Sequence, residues 1–534
     1  MVALLPAAIA LIAIAQPTGS GLTPPLIDQS QPGPAPVLPA QERPTADDPT
    51  GQVDVEAQAT ATPIRSVTFS GVDAPAPVAE AARTFIGQPA TRETLGALAK
   101  RISDAYAKTG IALYTVAIPQ QDLAEGHVRV LLAEGFIEDI AYPKGASPLI
   151  QAYAAPLARE HPLSRRTLER SLSLMRDIPG AKIDANMLRG AQAGGVRLAI
   201  TPEREYSDFS FGFDNRTQSG LGSGQWRASA KFYSLLRDGD RSDLTLLGAA
   251  DLKRYRYAGF SHQTPLGTDG LTLGLSTSWL DTRLQAPAIV GEAQTLGLSL
   301  SYPVIRGYKR NLTLSAGIDG LNSDAAYLGS VISSDRIRAV RAAAGYSIVA
   351  DKSALSLAIT GSRGLDMLGA RGVPGFTDID FTKIAGRANY DRMIGKRLVG
   401  RLRLSGQYSG DRLGGNERFS VGGPEIGRAF ETALLSGDKG MAGLFELALR
   451  PKLPARLQGS EVYGFVDGAR VRLNARTGLP AASYSMASAG GGLRLNYTTR
   501  ASLSLEAARV IEAPFPNAGD GWRFNIGWFL KLRR

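Results

Sequence analysis

The side chains that most often carry catalysis are few and scattered in this chain. Its three histidines, His127, His161 and His262, lie in three different segments. No shared metal site is expected from them, and solvated or hydrogen-bonded roles suit them better. The chain has no cysteine, which removes thiolate nucleophiles, cysteine-ligated metals and disulfides. Gly220-Leu221-Gly222-Ser223-Gly224 and Gly490-Gly491-Gly492 lack the strand-to-helix setting of a phosphate loop and read as turns. No Gly-x-Ser-x-Gly elbow sits between a strand and a helix, and no carboxylate spacing singles out an acid–base pair. The expectation is a protein that is not an enzyme, with no catalytic residues, metal or cofactor.

The elements around these residues point elsewhere. Met1–Gln16 is almost wholly apolar and ends in Ala13-Ile14-Ala15, a small-x-small cleavage pattern, so residues 1–15 read as a signal peptide although no basic residue follows Met1. No later window approaches the roughly 18–20 apolar residues of a transmembrane helix. The net charge of +11 is spread over 534 residues without a dense basic run, which argues against nucleic acid as a partner. Residues 16–63, with Gln31-Pro32-Gly33-Pro34-Ala35-Pro36, form a Pro-rich linker that cannot bury enough apolar surface to order itself.

From residue 64 to 135 the pattern becomes α+β. Arg65–Gly71 alternates as a strand, and helices follow over Val78–Ile86 and Thr91–Lys108. In the second helix Leu95, Leu98, Ile102 and Tyr106 make one apolar stripe, and Gly110 is its expected stop. Strands at Ala112–Ile118 and His127–Ala133 close the module. Residues 136–203 repeat the plan, with a strand at Phe136–Tyr142, a helix at Pro148–Ala158, a second helix capped by Ser164, and strands at Lys182–Leu188 and Gly195–Pro202.

From 204 to 534 the helical period disappears. Phe209, Phe211 and Phe213 alternate with Ser210, Gly212 and Asp214; Leu271, Leu273 and Leu275 with Thr272 and Gly274; Trp522, Phe524, Ile526 and Trp528 with Arg523, Asn525 and Gly527. One face is apolar with aromatics toward strand ends, while the other carries Ser, Thr, Gly, Asn and Arg, as a wet lumen would. A sheet in lipid must close on itself. About 330 residues at roughly 20 per strand and connection predict a transmembrane barrel of about 16 antiparallel strands. A soluble β-helix or propeller would need a short repeat, and none is seen.

Two small modules ahead of a barrel of this size resemble the two-partner secretion transporters (TpsB, the haemolysin secretion/activation proteins of ShlB/FhaC/HecB type) within the POTRA-bearing outer-membrane barrel superfamily. Pro119-Gln120-Gln121-Asp122-Leu123-Ala124-Glu125-Gly126, followed by a strand ending in Glu134-Gly135, is similar to the family's first POTRA signature. Gly422-Gly423-Pro424-Glu425-Ile426-Gly427-Arg428-Ala429-Phe430 resembles the loop that folds back into the lumen, with Ala429 where the family usually has glycine. Phe465-Val466-Asp467-Gly468 resembles the lumen-facing strand motif.

The resemblance implies an ion pair between Arg428 and Asp467 that locks the loop to the wall; a bidentate guanidinium–carboxylate contact in a partly desolvated lumen would suit that task. It also implies a bacterial outer-membrane location with the POTRA-like domains in the periplasm. The function implied is recognition of an unfolded, β-helical, haemolysin- or adhesin-like exoprotein and its export through the barrel by type V, two-partner secretion. Outer-membrane lipid and, during biogenesis, the barrel-assembly machinery are the other implied partners, and the chain is expected to be a monomer. The alternative is a barrel-assembly or insertion factor, which shares modules and loop. A passive porin would have no use for the front modules.

Overall fold

The computed structural model describes residues 50–532 apart from Ala193, 285–287, Gly329, Asn517 and Asp520. The expected signal peptide and the linker up to residue 49 lie outside the described residues. A front unit ends at Glu205 and a barrel unit begins at Tyr206.

The front unit holds two modules. The first contains β1 (Thr50–Val55), β2 (Ser66–Gly71), α1 (Ala76–Arg83), α2 (Arg92–Tyr106), β3 (Tyr114–Ile118) and β4 (His127–Glu134), with sheet order β1-β3-β4-β2. The expected linker is therefore shorter than 16–63, because Thr50–Val55 pairs in parallel with β3. That pairing is made by backbone groups, and only Val53 and Val55 offer an apolar signal within Thr50–Val55. The stripe Leu95, Leu98, Ile102 and Tyr106 is buried as expected. Gly110 is not its stop. The helix is capped at Ala107, and Thr109 Oγ1 donates to the Tyr106 carbonyl at 2.7 Å.

The second module has β5 (Phe136–Ala141), α3 (Pro148–Ala154), α4 (Arg165–Arg176), β6 (Ala181–Arg189) and β7 (Gly195–Arg204), with sheet order β5-β7-β6. Ser164 caps α4 by accepting from the Thr167 N–H at 3.2 Å. The two modules share packing. Ala112 and Leu113 of the first sit in the core of the second, and Ile111 bridges Ser164.

The barrel is a closed sheet of sixteen strands, from Ser207–Asp214 to Trp522–Leu532, each antiparallel to its neighbours. Period-2 alternation sets its faces. Leu296, Leu298 and Leu300 point outward, as do Phe524, Ile526 and Trp528. Charged and polar groups such as Asp319, Arg341, Lys383, Glu446 and Glu506 point into the lumen, where they meet one another or the long loop 409–438. Among the described residues no helix is long and apolar enough to cross a membrane.

One sequence expectation fails in the barrel. Gly490-Gly491-Gly492 is not a turn but the middle of the strand Ala482–Tyr497. A Cβ on Gly490 would lie 2.9 Å from the Phe465 ring, and one on Gly492 would lie 2.8 Å from Cζ of Tyr463. The glycines make room for two inward-pointing rings on the next strand. Gly220–Gly224 does lie in a connection, between Ser207–Asp214 and Gln225–Tyr233.

Candidate functional site

The loop 409–438 follows the strand Leu398–Tyr408 and leaves the barrel at the end far from where the chain enters it. It then turns back inward. Phe419–Val421 pairs with Leu435–Gly437 as a short hairpin, and the segment between them forms the tip. Gly422 (φ +115°), Gly423 (φ +99°) and Gly427 (φ +77°) take left-handed conformations that favour glycine. Space adds to the demand, since a Cβ on Gly427 would lie 2.7 Å from Met486 Sδ. The tip is bonded to itself: Gly422 N–H donates to the Ile426 carbonyl (3.0 Å), and Phe430 N–H to that of Gly427 (2.9 Å). Ile426 and Phe430 are buried against the barrel wall with Phe465 and Met486. Ala429 is not among the positive-φ residues, so alanine fits where the family usually has glycine.

Arg428 and Asp467 do meet, but not as the expected ion pair. It is the Arg428 backbone N–H that donates to Asp467 Oδ2, at 3.2 Å, while Ser488 Oγ donates to Asp467 Oδ1. The Arg428 guanidinium turns to two other carboxylates, Glu446 (2.9 Å) and Glu506 (3.2 Å), and stacks 4.6 Å from the Phe465 ring centroid. The register of the wall explains this. Glu446 lies directly opposite Phe465, two residues from Asp467, so a long side chain anchored at Asp467 by its own backbone reaches the next inward level. Phe465 and Asp467 face the lumen, whereas Gly468 falls on the other parity of the strand.

Sequence reasoning missed the charges that receive Arg428. Glu446 also accepts from Arg401 (2.7 Å) and Arg494 (2.7 Å), and both of these bind Glu461. Glu506 also accepts from Arg216 (2.9 Å) and the Tyr463 hydroxyl (2.8 Å). Each of these charges stands at the inward parity of a strand or in an adjoining loop, which was the available signal. Their pairing needed the closed barrel. Beside the tip lies a cavity of about 760 Å³ whose mixed lining includes Arg227, Arg387, Arg418 and Glu425.

The POTRA signature residues lie together in the first module, and the structure gives them positioning tasks. The β3–β4 register (Ala117 opposite Leu131) would bring Pro119 opposite Arg129, but proline has no N–H to give. The Gln121 side-chain amide takes its place, donating to the Arg129 carbonyl and accepting from its N–H, both at 2.8 Å. Asp122 Oδ1 accepts from Ala124 N–H (2.9 Å), and Leu123 is buried in the core. Gly126 (φ +75°) passes so close to Pro63 that a Cβ would lie 2.2 Å from its carbonyl oxygen. Glu134 accepts from the Tyr106 hydroxyl at 3.2 Å, and burial together with this carboxylate pushes the phenol above its ordinary pKa. Gly135 joins the modules: its N–H donates to Leu113, and its carbonyl accepts from Leu163 N–H, both at 2.9 Å.

Comparison with known proteins places these features in a family. The profile of the haemolysin secretion/activation protein family ShlB/FhaC/HecB matches residues 194–495, and that of the ShlB-type POTRA domain matches residues 62–135. The outer membrane transporter CdiB of Dickeya dadantii is 25% identical over 378 residues, 65% of each chain. The heme/hemopexin transporter protein HuxB of Haemophilus influenzae is 23% identical over 237 residues, 42% of this chain and 41% of that one. The alignments thus span less than two thirds of these relatives' lengths. In fold the chain is similar to CdiB from Escherichia coli, with a TM-score of 0.70 and 19% identity over 95% of this chain and 94% of that one.

Proposed function

Since the chain belongs to the haemolysin secretion/activation family ShlB/FhaC/HecB, we propose that it recognises an unfolded exoprotein in the periplasm and exports it through its barrel, as the transporter of a two-partner secretion pair. The barrel is an outer-membrane barrel and its POTRA modules are periplasmic. The family is one of transporters. The observation that carries the reading is a loop folded into a closed barrel and held there by buried ion pairs at Arg428, which suits a gate better than the standing aqueous lumen of a porin.

The client is a haemolysin- or adhesin-like β-helical protein. The sheets of the two modules have edge strands at Thr50–Val55 and Ser66–Gly71, and at Phe136–Ala141 and Ala181–Arg189. Such edges take an extended chain through main-chain hydrogen bonds with little demand on its sequence. The client then threads the lumen as the tip of the loop moves aside, and its folding outside supplies direction without nucleotide hydrolysis. The transporter works as a monomer inserted by the barrel-assembly machinery.

A deletion strain tests this. Loss of secretion of a large β-helical exoprotein encoded beside this gene, with the envelope otherwise intact, is the expected result. Normal export would overturn the reading, and a general loss of outer-membrane proteins would favour an assembly factor. Arg428→Ala and Asp467→Ala should each lower export or raise channel conductance several-fold while the barrel still folds. Wild-type export and conductance in both would remove the lock.

A further inference from the structure

The loop 409–438 is fastened to the wall at a second place, outside the tip motif. Glu417 is 5% exposed and accepts from both ends of the Arg341 guanidinium (2.7 and 3.1 Å) and from Lys383 Nζ (2.6 Å). Its backbone carbonyl accepts from Lys383 Nζ (3.0 Å) and Gln407 Nε2 (2.9 Å). Arg341 in turn holds Asp319 at 2.6 and 2.8 Å. At the other end of the loop Asp438, fully buried, accepts from Arg476 (2.9 and 3.0 Å), Leu413 N–H (2.8 Å) and Asn474 N–H (2.7 Å).

The two fastenings differ in what the wall keeps if the loop leaves. At the tip, the carboxylates Glu446, Glu461 and Glu506 are already bound by Arg401, Arg450 and Arg494 of the wall or its turns and by Arg216 of a connection. Arg428 is an added cation on carboxylates that keep other arginines, and the tip's own carboxylate Glu425 meets the wall's Arg387 only at 3.6 Å and is itself largely exposed. At the root, Glu417 supplies the carboxylate that Arg341 and Lys383 share, and Lys383 is 1% exposed. Taking a carboxylate away from buried cations is strongly unfavourable. Between root and tip the backbone passes through left-handed positions on both limbs, Gly422 and Gly423 on one and Ala433 (φ +53°) on the other.

We propose that the loop is divided at these positions into a fixed root, posted by Glu417 on Arg341 and Lys383, and a releasable tip, latched by Arg428. Opening swings the tip out while the root stays on the wall. This rests on the reading of the loop as the channel's gate, but its test needs no client, so failed export and a failed division of the loop are told apart.

The absence of cysteine gives a clean background for cross-links in the full chain. Ala429 N lies 3.4 Å from Ser488 Oγ, so A429C/S488C fastens the tip. A Cβ on Gly440 would lie 2.3 Å from the Phe419 ring, so F419C/G440C fastens the root within the reach of a disulfide. Single-channel recording in planar bilayers compares each oxidised form with its reduced form. Oxidised A429C/S488C should open at least tenfold less often and recover with reductant, while oxidised F419C/G440C should stay within about twofold of its reduced form. Closure by the root cross-link, or unhindered opening with the tip cross-linked, would overturn the division. Glu417→Gln should raise the conductance of the open state. Where that variant fails to fold, judged by heat-modifiable mobility in SDS gels, E417Q/K383Q keeps the charge balance and carries the same expectation. Wild-type conductance in the variant that folds would remove Glu417 as the post.

Discussion

Arg428 is held by its backbone to one carboxylate and by its guanidinium to two others. Glu446 stands at the centre of that arrangement, shared by Arg401, Arg428 and Arg494. A buried pair broken on one side is destabilised far more than the pair itself was worth, by about 3–5 kcal/mol. Glu446→Gln should therefore lower the thermal unfolding midpoint of the barrel markedly, whereas Arg428→Met, whose carboxylates keep Arg216, Arg401 and Arg494, should lower it less. Similar midpoints for the two, followed by heat-modifiable gel mobility, would contradict the charge assignment. The motif residues Arg428 and Asp467 were legible through the family resemblance and do lie together. The partner of the guanidinium was not legible, because one residue of strand register decides which carboxylate a long side chain reaches.

At the scale of elements, the first module shows a side chain repairing a sheet. Pro119 ends β3 early on the side of Arg129, and Gln121 supplies the missing donor and acceptor. A net hydrogen bond of this kind contributes about 1 kcal/mol. Gln121→Ala in the intact chain should speed amide exchange at Arg129 about fivefold relative to neighbouring β4 amides, and an unchanged rate would show that solvent serves as well. The helices and strands of both modules were readable from period and capping. Thr50–Val55 was not, because an edge strand paired by backbone needs no apolar run. Gly490–Gly492 misled for a related reason: glycine in a strand marks a close approach, here of Phe465 and Tyr463, as readily as it marks a turn.

For the molecule as a whole, barrel closure divides every strand into a lipid face and a lumen face. Leu298 is outward and near the middle of Ile289–Arg306, with Ser299 beside it on the other face. An arginine on the lipid face near the bilayer midplane costs about 2–4 kcal/mol, and one in a wet lumen much less. Leu298→Arg should reduce the yield of folded barrel in refolding with lipid or detergent, and Ser299→Arg should not. Equal yields would place Leu298 away from lipid.

Alternation of apolar and polar residues, helix capping and turn glycines are local properties, so the chain by itself determined two α+β modules and a closed barrel, while the inward turn of the loop at Gly422–Phe430 came from its resemblance to the family motif. Electrostatic partners are not local. Arg428 is far in sequence from Glu506, as Glu417 is from Arg341, and each pair exists only because sixteen strands close with one register and bring inward residues to one depth. That depth decided that the expected lock runs through a backbone N–H, that its guanidinium serves a different pair of carboxylates, and that the same loop has a second hold at Glu417.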